Sequence, residues 1–144
     1  MGKIRDLTEK LKTVNEDVIN QGLLTIVKNN QSEALDLNTS QLFAGKDSND
    51  QSLGSYKSAE YAKLKLSLNP AGVVDLKLTG NFYSGFFADT SRFPIQFGST
   101  DEKADTLMQT YGQDIFGLDQ TNLEQFRQDI KPDIQNLFKS FLQL

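Results

Sequence analysis

The sequence predicts an α+β fold: a small antiparallel sheet with a long N-terminal helix, a middle helix and a kinked C-terminal helix. Three observations predict it. Ile4, Leu7, Leu11, Val14 and Val18 recur every three or four residues near the start. Leu123, Phe126, Ile130, Ile134, Leu137, Phe138 and Phe141 do the same near the end. Between them, residues 73–98 alternate apolar and polar side chains, with a Thr79-Gly80 break, as half-buried strands do. The 144 residues suit one domain, 1–144, with a core that needs no disulfide or metal.

The elements follow in order. Residues 1–30 form an N-terminal helical region, weakened at Gly22, with Leu23, Leu24, Ile26 and Val27 as an apolar patch. Leu35, Leu37, Leu42 and Phe43 mark a short helix. Residues 45–56 are a loop, because Asp47-Ser48-Asn49-Asp50-Gln51-Ser52 gathers turn formers and Gly54 closes it. Residues 58–62 favour a helical turn, whereas Lys63-Leu64-Lys65-Leu66-Ser67-Leu68 alternates at period two and fits helix or strand. Asn69-Pro70-Ala71-Gly72 is a turn.

Three strands are expected in residues 73–98. Val74, Leu76 and Leu78 share one face of the first; residues 85–89 form the second; Phe93, Ile95 and Phe97 belong to the third, with Pro94 at an edge. A helical turn at Phe82-Tyr83 separates the first two. Ser99 and Glu102 form a capping box for a helix over 100–111 that ends at Gly112. Thr121 and Glu124 form another for a helix over 122–143, which Pro132 kinks or restarts. Its apolar stripe runs on to Leu142 and Leu144, so it serves the core or docks on a partner.

Composition narrows the function. The chain has no His and no Cys, which removes Ser-His and Cys-His nucleophile pairs, thiol chemistry and the commonest metal ligands. A net charge of −4, with scattered cations, disfavours a nucleic-acid clamp. No apolar run reaches membrane-spanning length, and the charged start lacks a signal-peptide pattern. Gly80 and Gly85 have P-loop spacing, but Phe86-Phe87 stands where Lys and Ser/Thr must hold phosphate and magnesium. Asp47, Asn49 and Gln51 open like a calcium loop, but Ser52 and Ser58 occupy the Gly and Glu positions. The sequence therefore predicts no catalytic residues, no cofactor and no metal.

Gln41-Leu42-Phe43-Ala44-Gly45-Lys46-Asp47, Leu53-Gly54-Ser55-Tyr56 and Tyr61-Ala62-Lys63-Leu64-Lys65 resemble small virion proteins of tailed phages and prophages. Asp75-Leu76-Lys77-Leu78-Thr79-Gly80-Asn81-Phe82 resembles the Thr-Gly signature of head–tail connector, neck and tail-completion proteins. Tyr111-Gly112 and Ile115-Phe116-Gly117-Leu118 stand where that family has its loop glycine and a Phe-Leu-Gly-Leu-like turn. The resemblance implies a structural protein, made in the host cytoplasm and residing in the virion. It would act as a homo-oligomeric ring contacting other virion proteins of the head–tail interface, with no membrane and no sequence-specific nucleic acid. Its assembly residues would be Thr79, Gly80, Phe82, Gly112, Phe116, Gly117 and Leu118. A soluble prophage-borne protein-binding adaptor is the alternative, and a carboxylate-based enzyme is a third.

Overall fold

The computed structural model describes residues 2–13, 15–56, 58–68, 73–77 and 80–142. In chain order they form α1 (Gly2–Thr13), α2 (Glu16–Asn29), α3 (Gln31–Phe43), α4 (Ala59–Leu68), α5 (Asn81–Ser84), β1 (Phe86–Asp89), β2 (Gln96–Ser99), α6 (Ala104–Tyr111), a 3-10 turn (Gln113–Ile115) and α7 (Gln120–Leu142). The fold is α+β, with helices outweighing one two-stranded antiparallel sheet.

The N-terminal helical region is two helices. The break falls at Asn15, whose extended backbone and side-chain oxygen, accepting from the Val18 N–H at 2.9 Å, start a new helix. Glu16 and Asp17 follow in the first turn, where negative charge suits the helix dipole. Gly22 lies inside α2, where α7 comes close; a Cβ there would stand 2.8 Å from Leu137 Cδ1. Of the predicted N-terminal stripe, Ile4 and Val18 are exposed, while Val14 and the side chains of Leu7 and Leu11 lie outside the described residues.

Residues 73–77 form no strand, contrary to their alternation. Val74 and Asp75 are both buried although adjacent, and Leu76 has a positive φ of 57°. The Asp75 carboxylate bends the backbone by accepting from the Lys77 N–H at 3.0 Å. Leu78, Thr79 and the turn at 69–72 lie outside the described residues. Conversely, the Lys-Leu run at 63–68 is helix α4.

The sheet is the hairpin of the two later strands. Phe86 pairs with Ser99, Phe87 with Gly98, Ala88 with Phe97 and Asp89 with Gln96. The third predicted strand is therefore shortened: Phe93 and Pro94 lie in the hairpin loop, because pairing begins only at Gln96. Gly98 leaves room for its cross-strand partner, as a Cβ there would meet the Phe87 ring at 2.8 Å.

Ser99 ends β2 instead of capping the next helix. Its hydroxyl donates to the Phe82 carbonyl and accepts from the Asp101 N–H. α6 starts at Ala104, four residues after the expected start at 100, and Gly112 terminates it as expected, its N–H reaching the Met108 carbonyl. α7 begins before the predicted capping box. Buried Asp119 performs the capping, its Oδ1 accepting from the Asn122 N–H at 2.8 Å. The helix continues through Pro132, which removes a single hydrogen bond from its ladder.

Two apolar clusters make the core. One joins α2, α3 and α7 through Ile26, Ala34, Phe126 and Ile130. The other gathers Leu42, Phe82, Ala104 and Ile115 beneath α5, α6 and the hairpin. α3 alone among the helices contributes a buried residue to both, Ala34 to the first and Leu42 to the second.

Because Asp119 caps the longest helix, Asp119→Ala should lower stability by about 1 kcal/mol with α7 still formed. Urea denaturation followed by circular dichroism measures this; an unchanged midpoint would remove Asp119 from that role.

Candidate functional site

The buried face of α3 carries Ala34, Asn38, Gln41 and Leu42, at spacings of four, three and one. Its middle is polar. Asn38 is wholly buried and Gln41 nearly so, and burial of such groups requires partners. Both find them on the backbone from the last residue of the 3-10 turn to Asp119. Asn38 Nδ2 donates to the Ile115 carbonyl and its Oδ1 accepts from the Gly117 N–H, each at 3.0 Å. Gln41 Nε2 donates to the Gly117 carbonyl at 3.1 Å and its Oε1 accepts from the Asp119 N–H at 2.8 Å. Asn122, in the first turn of α7, donates to the same Oε1 at 3.2 Å. Two side-chain amides thus read residues 115–119 as a neighbouring strand would.

This clamp shapes the Phe116-Gly117-Leu118 turn. Gly117 takes a φ of 115°, a region that other residues rarely adopt. Phe116 then turns toward the second core cluster and Leu118 toward the first. From the other side the loop at 46–52 is pinned to the 3-10 turn, with the Ser48 N–H on the Asp114 carbonyl and Asn49 Nδ2 on the Asp114 carboxylate. The would-be calcium ligand Asp47 instead accepts the N–H groups of Asn49 and Gln51, each at 2.9 Å.

Above the turn lies a cleft of about 740 Å³ between the hairpin and α7. Phe97, Leu118, Phe126 and Ile130 line it, and Gln96 and Arg127 are among its few polar groups. Its size and apolar walls suit a ligand or an inserted side chain. Among the described residues, no three acidic side chains gather as metal ligands.

A second polar cluster lies below α4. Lys65 is 1% exposed, and its ammonium meets Asp75 Oδ1 at 2.5 Å and the Lys77 carbonyl. The Tyr83 hydroxyl donates to the Asp75 carbonyl, and the Asp75 N–H donates to the Tyr56 hydroxyl at 3.3 Å. Burial pushes the Tyr56 phenol up to about 12; the hydrogen bond from Asp75 opposes this and the Asp75 charge adds to it. Burial, and then the charges of Asp75 and Tyr56, push Tyr83 up as well. Tyr111 is raised by burial and by Tyr61, against Lys65.

The sequence-predicted residues fall into two groups. Gly80 and Phe82 line a small hollow near Tyr56, Tyr61 and Tyr111, and Gly80 has the positive φ of 86° expected at that corner. Phe116, Gly117 and Leu118 line the larger cleft. The Phe82 and Phe116 rings, with centroids 5.8 Å apart, connect the two. Gly112 ends α6, belongs to neither hollow and has a φ of 89°. Thr79 lies outside the described residues. Asn38, Gln41, Lys65 and Asp75 escaped the sequence reading; the one signal was the poor helical periodicity of apolar residues in α3 and α4.

Comparison with known proteins adds no relative: no family model, curated protein or solved structure matches the chain.

Asn38→Ala should cost roughly 3 kcal/mol, because it strands the Ile115 carbonyl and the Gly117 N–H in the interior. Denaturant unfolding tests this, and a loss below about 1 kcal/mol would show that the turn holds itself.

The tyrosines set the alkaline limit. The folded state holds their protons more tightly than the unfolded chain, whose phenols titrate near 10. The contribution of Tyr56 is therefore complete below pH 10 and is lost as pH rises through about 12, and that of Tyr83 is lost at still higher pH. Tyrosinate absorbance from these residues should appear together with loss of helical circular dichroism; its appearance well before unfolding would contradict the burial.

Proposed function

We propose that the chain is a phage structural protein of the neck or tail-completion type, assembling through contacts between its own copies and with neighbouring virion proteins. The observation that carries this reading is helix α4, which is turned inside out. Its Lys65 is buried, while Leu64, Leu66 and Leu68 are 48%, 51% and 57% exposed. Tyr61, Leu64 and Leu68, spaced by three and four residues, share one outward face. An exposed apolar face of this kind marks an interaction surface.

Three further features support it. The chain exposes 9585 Å², against roughly 7,400 Å² for a compact monomer of this mass. Phe87 and Phe93 of the hairpin are each 44% exposed. Beyond the β1–β2 pairing, both outer strand edges lack a further strand among the described residues, and open edges are pairing templates. The likeness of residues 41–47, 53–56 and 61–65 to small virion proteins of tailed phages, and of 75–82 to connector and neck proteins, supports the virion among possible assemblies. In that setting the protein is made in the host cytoplasm and ends in the virion, and its net charge of −4 suits a wall that does not retain DNA. Among the described residues, no helix is long and apolar enough to cross a membrane.

The apolar cleft favours one other reading, a prophage-borne adaptor that binds a partner protein as a monomer.

Sedimentation equilibrium separates the two. The assembly reading expects a mass that rises with concentration to a defined oligomer, and a monomer for Leu64→Glu/Leu68→Glu with unchanged helical content. A parent chain that stays monomeric, alone and mixed with phage neck proteins, would overturn it.

A further inference from the structure

The small hollow beside the Lys65–Asp75 pair is walled by aromatic rings. Tyr56 and Tyr61 pack edge-to-face, at 81° with ring centroids 5.0 Å apart, and both line the hollow. Phe82 and Tyr111 add further walls around about 160 Å³. The faces of such rings carry negative potential and attract cations. The cluster already holds one: the Lys65 ammonium lies 5.9 Å from the Tyr56 ring centroid.

Asp101 also lines this hollow. Its Oδ1 accepts from the Lys103 N–H at 3.4 Å, but its Oδ2 is buried and has no hydrogen-bond partner among the described residues. A buried carboxylate oxygen without a donor or counter-charge is unfavourable, and such an atom in a native fold calls for a reason. Lys65 does not supply one, since its ammonium is held by Asp75 and the Lys77 carbonyl. Lys103 is the other cation at the rim, and it is exposed.

We propose that this hollow binds a small alkylammonium group, with the rings of Tyr56, Tyr61, Tyr111 and Phe82 facing its methyl groups and Asp101 supplying the opposite charge. The volume admits a methylated ammonium headgroup and excludes nucleotides and oligosaccharides. The site shares Tyr61 with the outward face of α4, while Leu64 and Leu68 of that face do not line it.

The chain provides its own probe. It has four tyrosines and no tryptophan, and three of the four line the hollow, so intrinsic fluorescence reports on it. Choline is titrated into the full chain at constant ionic strength, beside its neutral isostere 3,3-dimethylbutanol. Saturable change with choline, and none with the isostere, is expected. Asp101→Asn, which keeps the shape and the Oδ1 acceptor, should weaken binding at least about tenfold. Lys103→Ala, on the surface, should tighten binding by removing a like charge. Equal response to both compounds, no saturable response, unchanged binding by folded Asp101→Asn, or loss of binding in Lys103→Ala would each overturn the proposal.

Discussion

The double grip of two α3 amides on residues 115–119 is the constraint on which most of this fold depends. The two apolar clusters share no buried residue, and α3 runs through both. Asn38 and Gln41 sit where the clusters meet, each using a donor and an acceptor on the same stretch of backbone. A purely apolar contact at that point would hold the loop without defining its register. The paired bonds define it to a single residue, and the positions of Phe116, Leu118 and the start of α7 follow. Asp119, placed by Gln41, caps α7, and α7 in turn packs on α1, α2 and α3.

The Lys65–Asp75 pair plays a comparable part on the other side of the molecule. Its net contribution to stability is small, because desolvating two charges offsets their attraction. Its geometric effect is plain. One carboxylate collects the Lys65 ammonium and the Lys77 N–H, while the adjoining backbone meets two tyrosine hydroxyls. That ties residues 73–77 to α4 as a bent strap, and the backbone groups of Asp75 and Lys77 are satisfied without a sheet.

Where apolar residues alone determine structure, the sequence was legible. The stripe from Leu123 to Phe141 became α7, the Phe82-Tyr83 turn became α5, and the β1 strand falls within the expected span. The misreadings share a cause: a polar side chain took a role assigned by default to an apolar residue or to the wrong polar one. Asp75 looked like the solvent face of a strand and instead folds the chain inward. The Lys63-Leu64-Lys65-Leu66 run was open between helix and strand, and the buried member of the helix that it forms is a lysine. Asn15 and Asp119 start helices where periodicity or a better-looking capping box pointed elsewhere. Of the candidate residues, Gly80 and Gly112 were visible because positive φ selects glycine, and Gly117 came only with the family resemblance. Asn38 and Gln41 were not, because their partners are backbone groups nearly eighty residues away, which no local pattern encodes.

The sealed lysine also divides the chain's amines into two chemical kinds. Exposed lysines such as Lys63 and Lys77 present their side chains to any acylating reagent, whereas Lys65 is shielded for as long as α4 stays docked. Acylation there requires the helix to lift away, and the product can neither carry the charge nor fit the space that Asp75 and the Lys77 carbonyl enclose. Such a reaction would act as a ratchet, converting a transient opening of α4 into a permanent one and leaving a mass tag at the point where the fold first came apart.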